Sequence, residues 1–125
     1  SNALDKFINV VDRFEEFKNE GFGDVYLDLI VKRFEFTYEM SWKAVKRYLE
    51  FTGLEAKSPR AVFKEAYAQQ IITDEDIWLD MIEQRNLSSH VYDESEMKEI
   101  LEKKHVYKDA FCSLRNVLER ELNTR

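Results

Sequence analysis

Apolar residues recur at intervals of three and four along most of the chain, which is the spacing of one face of an α-helix. A first stretch of this kind covers residues 4–20, and glycines follow it, as they commonly do at helix ends. The longest stretch covers residues 24–53 and carries two apolar stripes. The first stripe comprises Leu27, Ile30, Phe34, Tyr38, Val45 and Tyr48, and the second comprises Leu29, Phe36 and Met40. Two stripes predict neighbours on two sides of this helix, either other helices of the bundle or a partner chain.

Local signals predict three more helices. Ser58 is followed by the only proline of the chain, an arrangement typical of a helix start, and a short helix is expected to run from there to about residue 69. Thr73 is predicted to cap the next helix, whose first turn carries acids that favour the helix dipole. Asp93, with a glutamate three residues later, has the spacing of a capping box and predicts a final helix that runs unbroken to about Leu122.

These elements predict an all-α protein. No stretch shows the alternation of a strand, and three glycines and one proline among 125 residues favour long helices with short connections. We therefore expect an antiparallel up-and-down bundle of about five helices, with a single domain over residues 4–122. Residues 1–3 are interpreted as the remnant of a cleaved tag, and residues 123–125 as a frayed tail.

Composition narrows the function classes. No apolar run approaches ~18 residues, so no membrane span is expected. Cys112 is the only cysteine, which rules out an intrachain disulfide or a cysteine-cluster metal site and favours a reducing, cytoplasmic location. We expect no metal and no cofactor. The net charge of −6 argues against a general nucleic-acid-binding protein.

The charges are unevenly distributed along the sequence. Basic residues concentrate between positions 43 and 64, whereas acidic residues flank positions 85–92 on both sides. A site flanked by acids repels a polyanion unless the basic segment or a second chain covers it, although a charge run is usually only a solvated face. The basic segment is alternatively suited to an acidic protein partner.

The stretch from Arg85 to Tyr92 carries the densest candidate chemistry, because it groups an arginine, a histidine and a tyrosine. A histidine exchanges protons near neutral pH, and an arginine presents a planar fork of donors that matches phosphate oxygens. Residues five apart on a helix differ by about 140°, so Arg85 and His90 do not share a helical face. They converge only if the helix breaks between Ser88 and Tyr92, or if a second copy supplies the partner. The alternative is a salt bridge and a helix cap with no catalytic role.

The same residues resemble a known family. Arg85, His90 and Tyr92 fit the Arg-x4-His-x-Tyr motif of HEPN-domain proteins, with Asn86 as the polar residue after the arginine. The segment over residues 34–43, the helix start at residues 58–60 and the motif occur in the order seen in one HEPN branch. That branch is the nucleotidyltransferase substrate-binding protein family, and the resemblance covers nearly the whole chain.

The resemblance implies a function. HEPN domains are helical bundles that form homodimers and bring two motifs to a shared cleft. Members of this branch associate with a minimal nucleotidyltransferase encoded nearby, in modules described as toxin–antitoxin systems. Arg85 and His90 would then be the catalytic pair of a metal-independent RNase, with Asn86 and Ser89 in support, and Tyr92 would accept AMP from the partner. The alternative is a non-catalytic subunit that binds RNA or a nucleotide as substrate for the nucleotidyltransferase.

A second histidine, His105, lies among lysines in the predicted final helix. A lone histidine in such surroundings is more often solvated than functional. Glu39 and Lys43 are interpreted as a surface ion pair, because oppositely charged residues four apart on a helix commonly form one.

Overall fold

The residues that the structure describes form a bundle of six α-helices. The computed structural model describes residues 2–21, 23–88 and 94–123, and within these ranges it contains no strand. The helices are α1 (Asn2–Asn19), α2 (Gly23–Phe51), α3 (Pro59–Ala68), α4 (Glu75–Ser88), α5 (Glu94–Glu102) and α6 (Lys104–Asn123). The all-α prediction is confirmed.

Helix α2 is the centre of the bundle, because it packs against each of the other five helices. Four residues of its first apolar stripe are buried, namely Ile30, Phe34, Tyr38 and Val45, whereas Leu27 and Tyr48 at its two ends are partly exposed. Its second stripe is more exposed: Leu29 packs against the core, but Phe36 is 54% exposed and Met40 is 42% exposed. The second stripe was predicted to contact either other helices of the bundle or a partner chain. The described helices do not cover Phe36 and Met40.

Aromatic rings fill the core between α2 and the last helix. The ring of Phe34 stacks on that of Tyr107 with centroids 5.0 Å apart. Phe111 meets Phe7 edge to face at 5.5 Å, and it meets Trp78 of α4 in the same way. Such edge-to-face and offset arrangements are the favoured geometries of aromatic pairs. They fix α4 and α6 against α2, and thereby fix the helix that carries Arg85.

The N-caps of α3 and α4 test the helix starts that were predicted from the sequence. At α3 the prediction is confirmed, because the Ala61 amide donates to Ser58 Oγ over 3.2 Å and proline occupies the first turn. At α4 the predicted cap is wrong by one residue. The amide of Ile77 donates to Asp74 Oδ1 over 3.2 Å, so Asp74 rather than Thr73 caps the helix. An aspartate is the stronger cap of the two, which accounts for the shift.

The predicted continuous final helix is divided in two. Helix α5 ends at Glu102 and α6 begins at Lys104, with Lys103 in a turn between them. No glycine or proline marks this junction. Instead the Lys103 ammonium lies 3.1 Å from Asp80 of α4 and 3.0 Å from Glu99 of α5. These ion pairs hold the junction against α4. Because Asp80 is 23 residues from Lys103, the sequence around Lys103 does not show this contact.

The first residues that the structure describes belong to the fold. Asn2 and Ala3 lie in α1, Ala3 is buried, and its carbonyl accepts a hydrogen bond from Thr37 Oγ1 at 3.2 Å. These two residues therefore take part in α1, and the interpretation of residues 1–3 as a tag remnant stays a prediction. At the other end, α6 includes Asn123, the first residue of the predicted frayed tail, whereas residues 124–125 lie outside the described ranges.

Candidate functional site

Arg85 lies in the last turn of α4 and is held by two carboxylates of α2. Its Nε donates to Glu39 Oε1 over 3.2 Å, and its Nη1 lies 3.9 Å from Glu35 Oε2. The three side chains are between 24% and 30% exposed, so the cluster sits at the rim of the bundle rather than in its interior. The contact with Glu39 is a charge-assisted hydrogen bond, whereas the one with Glu35 is too long to be a hydrogen bond.

Glu39 holds several groups in place at once. While Oε1 accepts from Arg85, Oε2 accepts from Trp42 Nε1 at 3.1 Å. The predicted surface pair with Lys43 exists, but at 3.9 Å it is the longest of the three contacts. Because Trp42 packs against the core, its indole restrains the carboxylate, and the carboxylate in turn restrains the guanidinium of Arg85.

Tyr38 forms the buried side of this cluster. It is 2% exposed, and burial raises its pKa to about 12, the charge of Glu39 adding to the rise and that of Arg85 opposing it. The phenol is therefore neutral at physiological pH. The Arg85–Glu39 pair thus has a neutral, buried ring on one side and solvent on the other.

The exposed side of the cluster is a groove of about 320 Å³. It is lined by Lys32, Glu35, Phe36, Glu39 and Arg85. The four α2 residues share one face because they are spaced three and four apart. The two acids and two bases compensate one another, so the described part of the lining has no formal net charge, and the half-exposed ring of Phe36 supplies its apolar wall.

The other residues of the predicted site are only partly described. Asn86 follows Arg85 within α4 and is exposed. Ser89, His90 and Tyr92 lie outside the described residues, as does most of the predicted break between residues 88 and 92. The pairing of Arg85 with His90 and the role of Tyr92 therefore stay predictions.

A second polar cluster joins the helices on either side of residues 89–93. Asp80 of α4 accepts hydrogen bonds from Lys103 and, over 2.6 Å, from the Tyr107 hydroxyl. Burial raises the pKa of Tyr107, and the hydrogen bond to Asp80 raises it further. Hydrogen bonds from Lys103 and then Gln84 lower the pKa of the Glu99 carboxyl. These contacts tie α4, α5 and α6 together on either side of the motif segment.

Lys103 and Gln84 complete this cluster. Burial lowers the pKa of Lys103, but its hydrogen bonds to Glu99 and Asp80 outweigh burial and raise it overall. Gln84 is 3% exposed, and its Oε1 has no hydrogen-bond partner within the described part of the chain. The ion pairs of Lys103 thus lie at the partly exposed edge of the cluster, and the buried amide of Gln84 lies where the cluster meets the core.

Three further findings concern metal binding, the second histidine and the membrane. Among the residues of known placement, no group of three or more His, Cys, Asp or Glu side chains could hold a metal ion. His105 is exposed on α6, in agreement with the interpretation that it is solvated. In the same ranges, none of the helices has the length and apolarity needed to cross a membrane.

Glu35 and Glu39 are the site residues that sequence reasoning missed. Spacing along the sequence predicts only a surface pair for Glu39 with Lys43, and it assigns no role to Glu35. A signal existed, because Glu35 and Glu39 are four residues apart and therefore share one face of the predicted helix. The sequence could not show that this face meets Arg85, which is 46 residues away from Glu39.

Known proteins share both the sequence pattern and the fold. The model of the family described as "Nucleotidyltransferase substrate binding protein like" matches residues 2–120. A Thermus thermophilus protein of known crystal structure is 28% identical, with a TM-score of 0.73 over 90% of this chain and 98% of that one. No curated protein matches the chain.

A second solved structure is similar in fold. A Haemophilus influenzae protein, described as revealing the fold of a substrate binding domain of a nucleotidyltransferase, is 22% identical. Its TM-score is 0.78 over 94% of this chain and 98% of that one. The helical bundle is thus the fold of a recognised class of helical domains. Because the family model spans nearly the whole chain, the protein belongs to the nucleotidyltransferase substrate-binding-protein-like family.

Proposed function

We propose that this chain is the HEPN-type component of a two-protein module with a nucleotidyltransferase, and that it cleaves RNA without a metal ion through Arg85 and His90. The observation that carries the proposal is the fixation of Arg85. Its guanidinium is held by Glu39 at the mouth of a groove, and the motif histidine follows five residues later in the sequence. The hydrogen bond from Arg85 Nε to Glu39 Oε1 fixes the orientation of the planar guanidinium.

The chemistry requires only the RNA and these side chains. The 2′-hydroxyl attacks the adjacent phosphorus, forming the O2′–P bond and breaking the P–O5′ bond. His90 of one copy removes the proton from the 2′-hydroxyl, and His90 of a second copy in a homodimer protonates the departing 5′-oxygen. Arg85 stabilises the negative charge that develops on the phosphate oxygens. The products are a 2′,3′-cyclic phosphate and a 5′-hydroxyl.

The partner would control this activity through Tyr92. Transfer of AMP to the Tyr92 hydroxyl, with pyrophosphate leaving from ATP, places a bulky anion two residues from His90. The added charge repels the RNA backbone, and the added bulk fills the cleft. Family membership supports a nucleotidyltransferase partner, because the family is named after that enzyme.

A second candidate function has a specific observation in its favour. Glu39 and Glu35 both lie within 4 Å of Arg85 and compensate its charge, which weakens its attraction for a phosphate. On this view the chain is a non-catalytic subunit that presents RNA or a nucleotide to the nucleotidyltransferase. Arg85 is then mainly a structural link between α2 and α4.

Expression of the chain without its partner separates the two candidates. We expect growth arrest and cleavage of single-stranded RNA by the wild-type protein in the presence of EDTA. His90→Ala is expected to reduce cleavage by about 10²- to 10⁴-fold with unchanged helical circular dichroism. The matched control is His105→Ala, which removes the only other histidine and is expected to cleave normally. A wild-type chain that does not cleave RNA but binds the nucleotidyltransferase tightly supports the second candidate.

A further inference from the structure

Phe36 is an exposed aromatic ring beside the Arg85 groove. It is 54% exposed and lines the groove together with Lys32, Glu35, Glu39 and Arg85. Within the described residues its ring stacks on no other aromatic side chain, in contrast to the rings of the core. Single exposed rings are common on protein surfaces, so the informative observation is that this ring lies in the groove that holds Arg85.

The neighbours of Phe36 distinguish two explanations. Among the described residues, every other one that lines its groove is charged, whereas the centres of protein–protein interfaces are depleted in charged residues. Met40, one turn further along α2, has the opposite surroundings. It lines a separate groove with mostly apolar walls that include Leu118 and Leu122 of α6. A protein partner fits the Met40 groove better, and a planar ligand with polar edges fits the Phe36 groove better.

We propose that Phe36 is a stacking platform for a base of single-stranded RNA, with Lys32 holding the adjoining phosphate, next to Arg85. Every nucleobase has a π-face, and stacking on an exposed aromatic ring is a common way to bind single strands. The carboxylate of Glu35 lies at the edge of the same groove, where it accepts hydrogen bonds from the amino groups that bases carry. This inference rests on the proposed function and assigns a substrate-binding subsite to it.

The charge balance of the groove gives the subsite a recognisable signature. Because two acids offset two bases, phosphate attraction is weak, and stacking contributes a large share of the affinity. Removing the ring therefore lowers affinity at every salt concentration, whereas removing Lys32 changes the salt dependence. For single strands, the slope of log K against log salt falls in magnitude by about 0.7 for every phosphate that the protein no longer neutralises.

The test is fluorescence anisotropy with a labelled single-stranded RNA of about 12 nucleotides. All proteins carry His90→Ala so that the RNA stays intact. We expect Phe36→Ala to weaken binding by about 5- to 150-fold with an unchanged salt slope. Phe36→Trp is expected to bind at least as well as the parent, and Lys32→Gln to lower the slope by about 0.7. The matched control is Phe51→Ala, which removes a 67% exposed phenylalanine at the far end of α2.

Two results overturn the inference while leaving the proposed function intact. One is RNA binding by Phe36→Ala that equals that of Phe51→Ala. The other is a Phe36→Ala variant with normal RNA affinity that has lost self-association or binding to the nucleotidyltransferase, which makes Phe36 a protein contact. If the parent protein shows no affinity for RNA, the proposed function fails first, and the subsite fails with it.

Discussion

The Arg85–Glu39 contact is the structural feature on which the site depends, and a double-mutant cycle measures it. The variants are Glu39→Gln, Arg85→Met and the double mutant. Glutamine keeps the size of the side chain and an acceptor for Trp42, and methionine keeps most of the apolar stem of the arginine. The coupling free energy is the stability change of the double mutant minus the sum of the two single changes.

The magnitude follows from the geometry. Hydrogen bonds to charged groups contribute about 1.5–3 kcal/mol when they are buried, and exposed ion pairs contribute about 0.2–1 kcal/mol. Glu39 and Arg85 are about 30% exposed and their atoms are 3.2 Å apart, which places the pair between these classes. We expect a coupling of about 1–2 kcal/mol. The same cycle with Glu35→Gln is the internal comparison, and its 3.9 Å contact predicts less than about 0.5 kcal/mol.

Urea unfolding followed by circular dichroism gives the required free energies, provided that the slope against urea stays constant across the variants. The order of the two couplings is the decisive result. Equal couplings for Glu39 and Glu35, or a Glu39 coupling below about 0.5 kcal/mol, would show that Glu39 does not fix Arg85.

Two further predictions concern the core. Tyr107→Phe keeps the ring but removes its hydrogen bond to Asp80, so unfolding should cost about 1.5–3 kcal/mol less and Tm should fall by about 6–12 °C. Tyr26→Phe, whose ring stacks on Phe17, is the control and should lose under about 0.5 kcal/mol in the same melts. Burial raises the pKa of Tyr38 and Tyr107 in the folded state, so the unfolded chain loses its phenolic protons first as the pH rises. The contribution of these two phenols to the free energy of unfolding is therefore complete below pH 10 and declines above it. Chemical denaturation at pH 9 to 11 should show a shallower decline for Tyr107→Phe, and an equal decline would contradict the assignment.

Local sequence signals predicted much of the fold, because helix periodicity and capping depend on residues close together in the chain. The start of α3 at Ser58 illustrates this, since both the capping side chain and the capped amide lie within four residues. The buried stripe of α2 was equally readable, because spacing alone shows which residues share a face.

Long-range contacts account for what the sequence did not show. The division at Lys103 depends on Asp80, 23 residues away, and the role of Glu39 depends on Arg85, 46 residues away. Periodicity tells which side of a helix is apolar, but it does not tell which helix lies against it. For the same reason, Phe36 could be recognised as part of a stripe but not as a ring beside the Arg85 groove.

The most direct test of the proposed module is the intact mass of the chain after co-expression with a nucleotidyltransferase encoded beside it. We predict an increase by whole adenylyl groups in the wild-type chain and no increase in Tyr92→Phe. Tyr67→Phe, which alters an exposed tyrosine of α3, should be modified normally. An unmodified wild-type chain that is nevertheless recovered in a stable complex would contradict control through Tyr92, and it would favour the non-catalytic binding subunit.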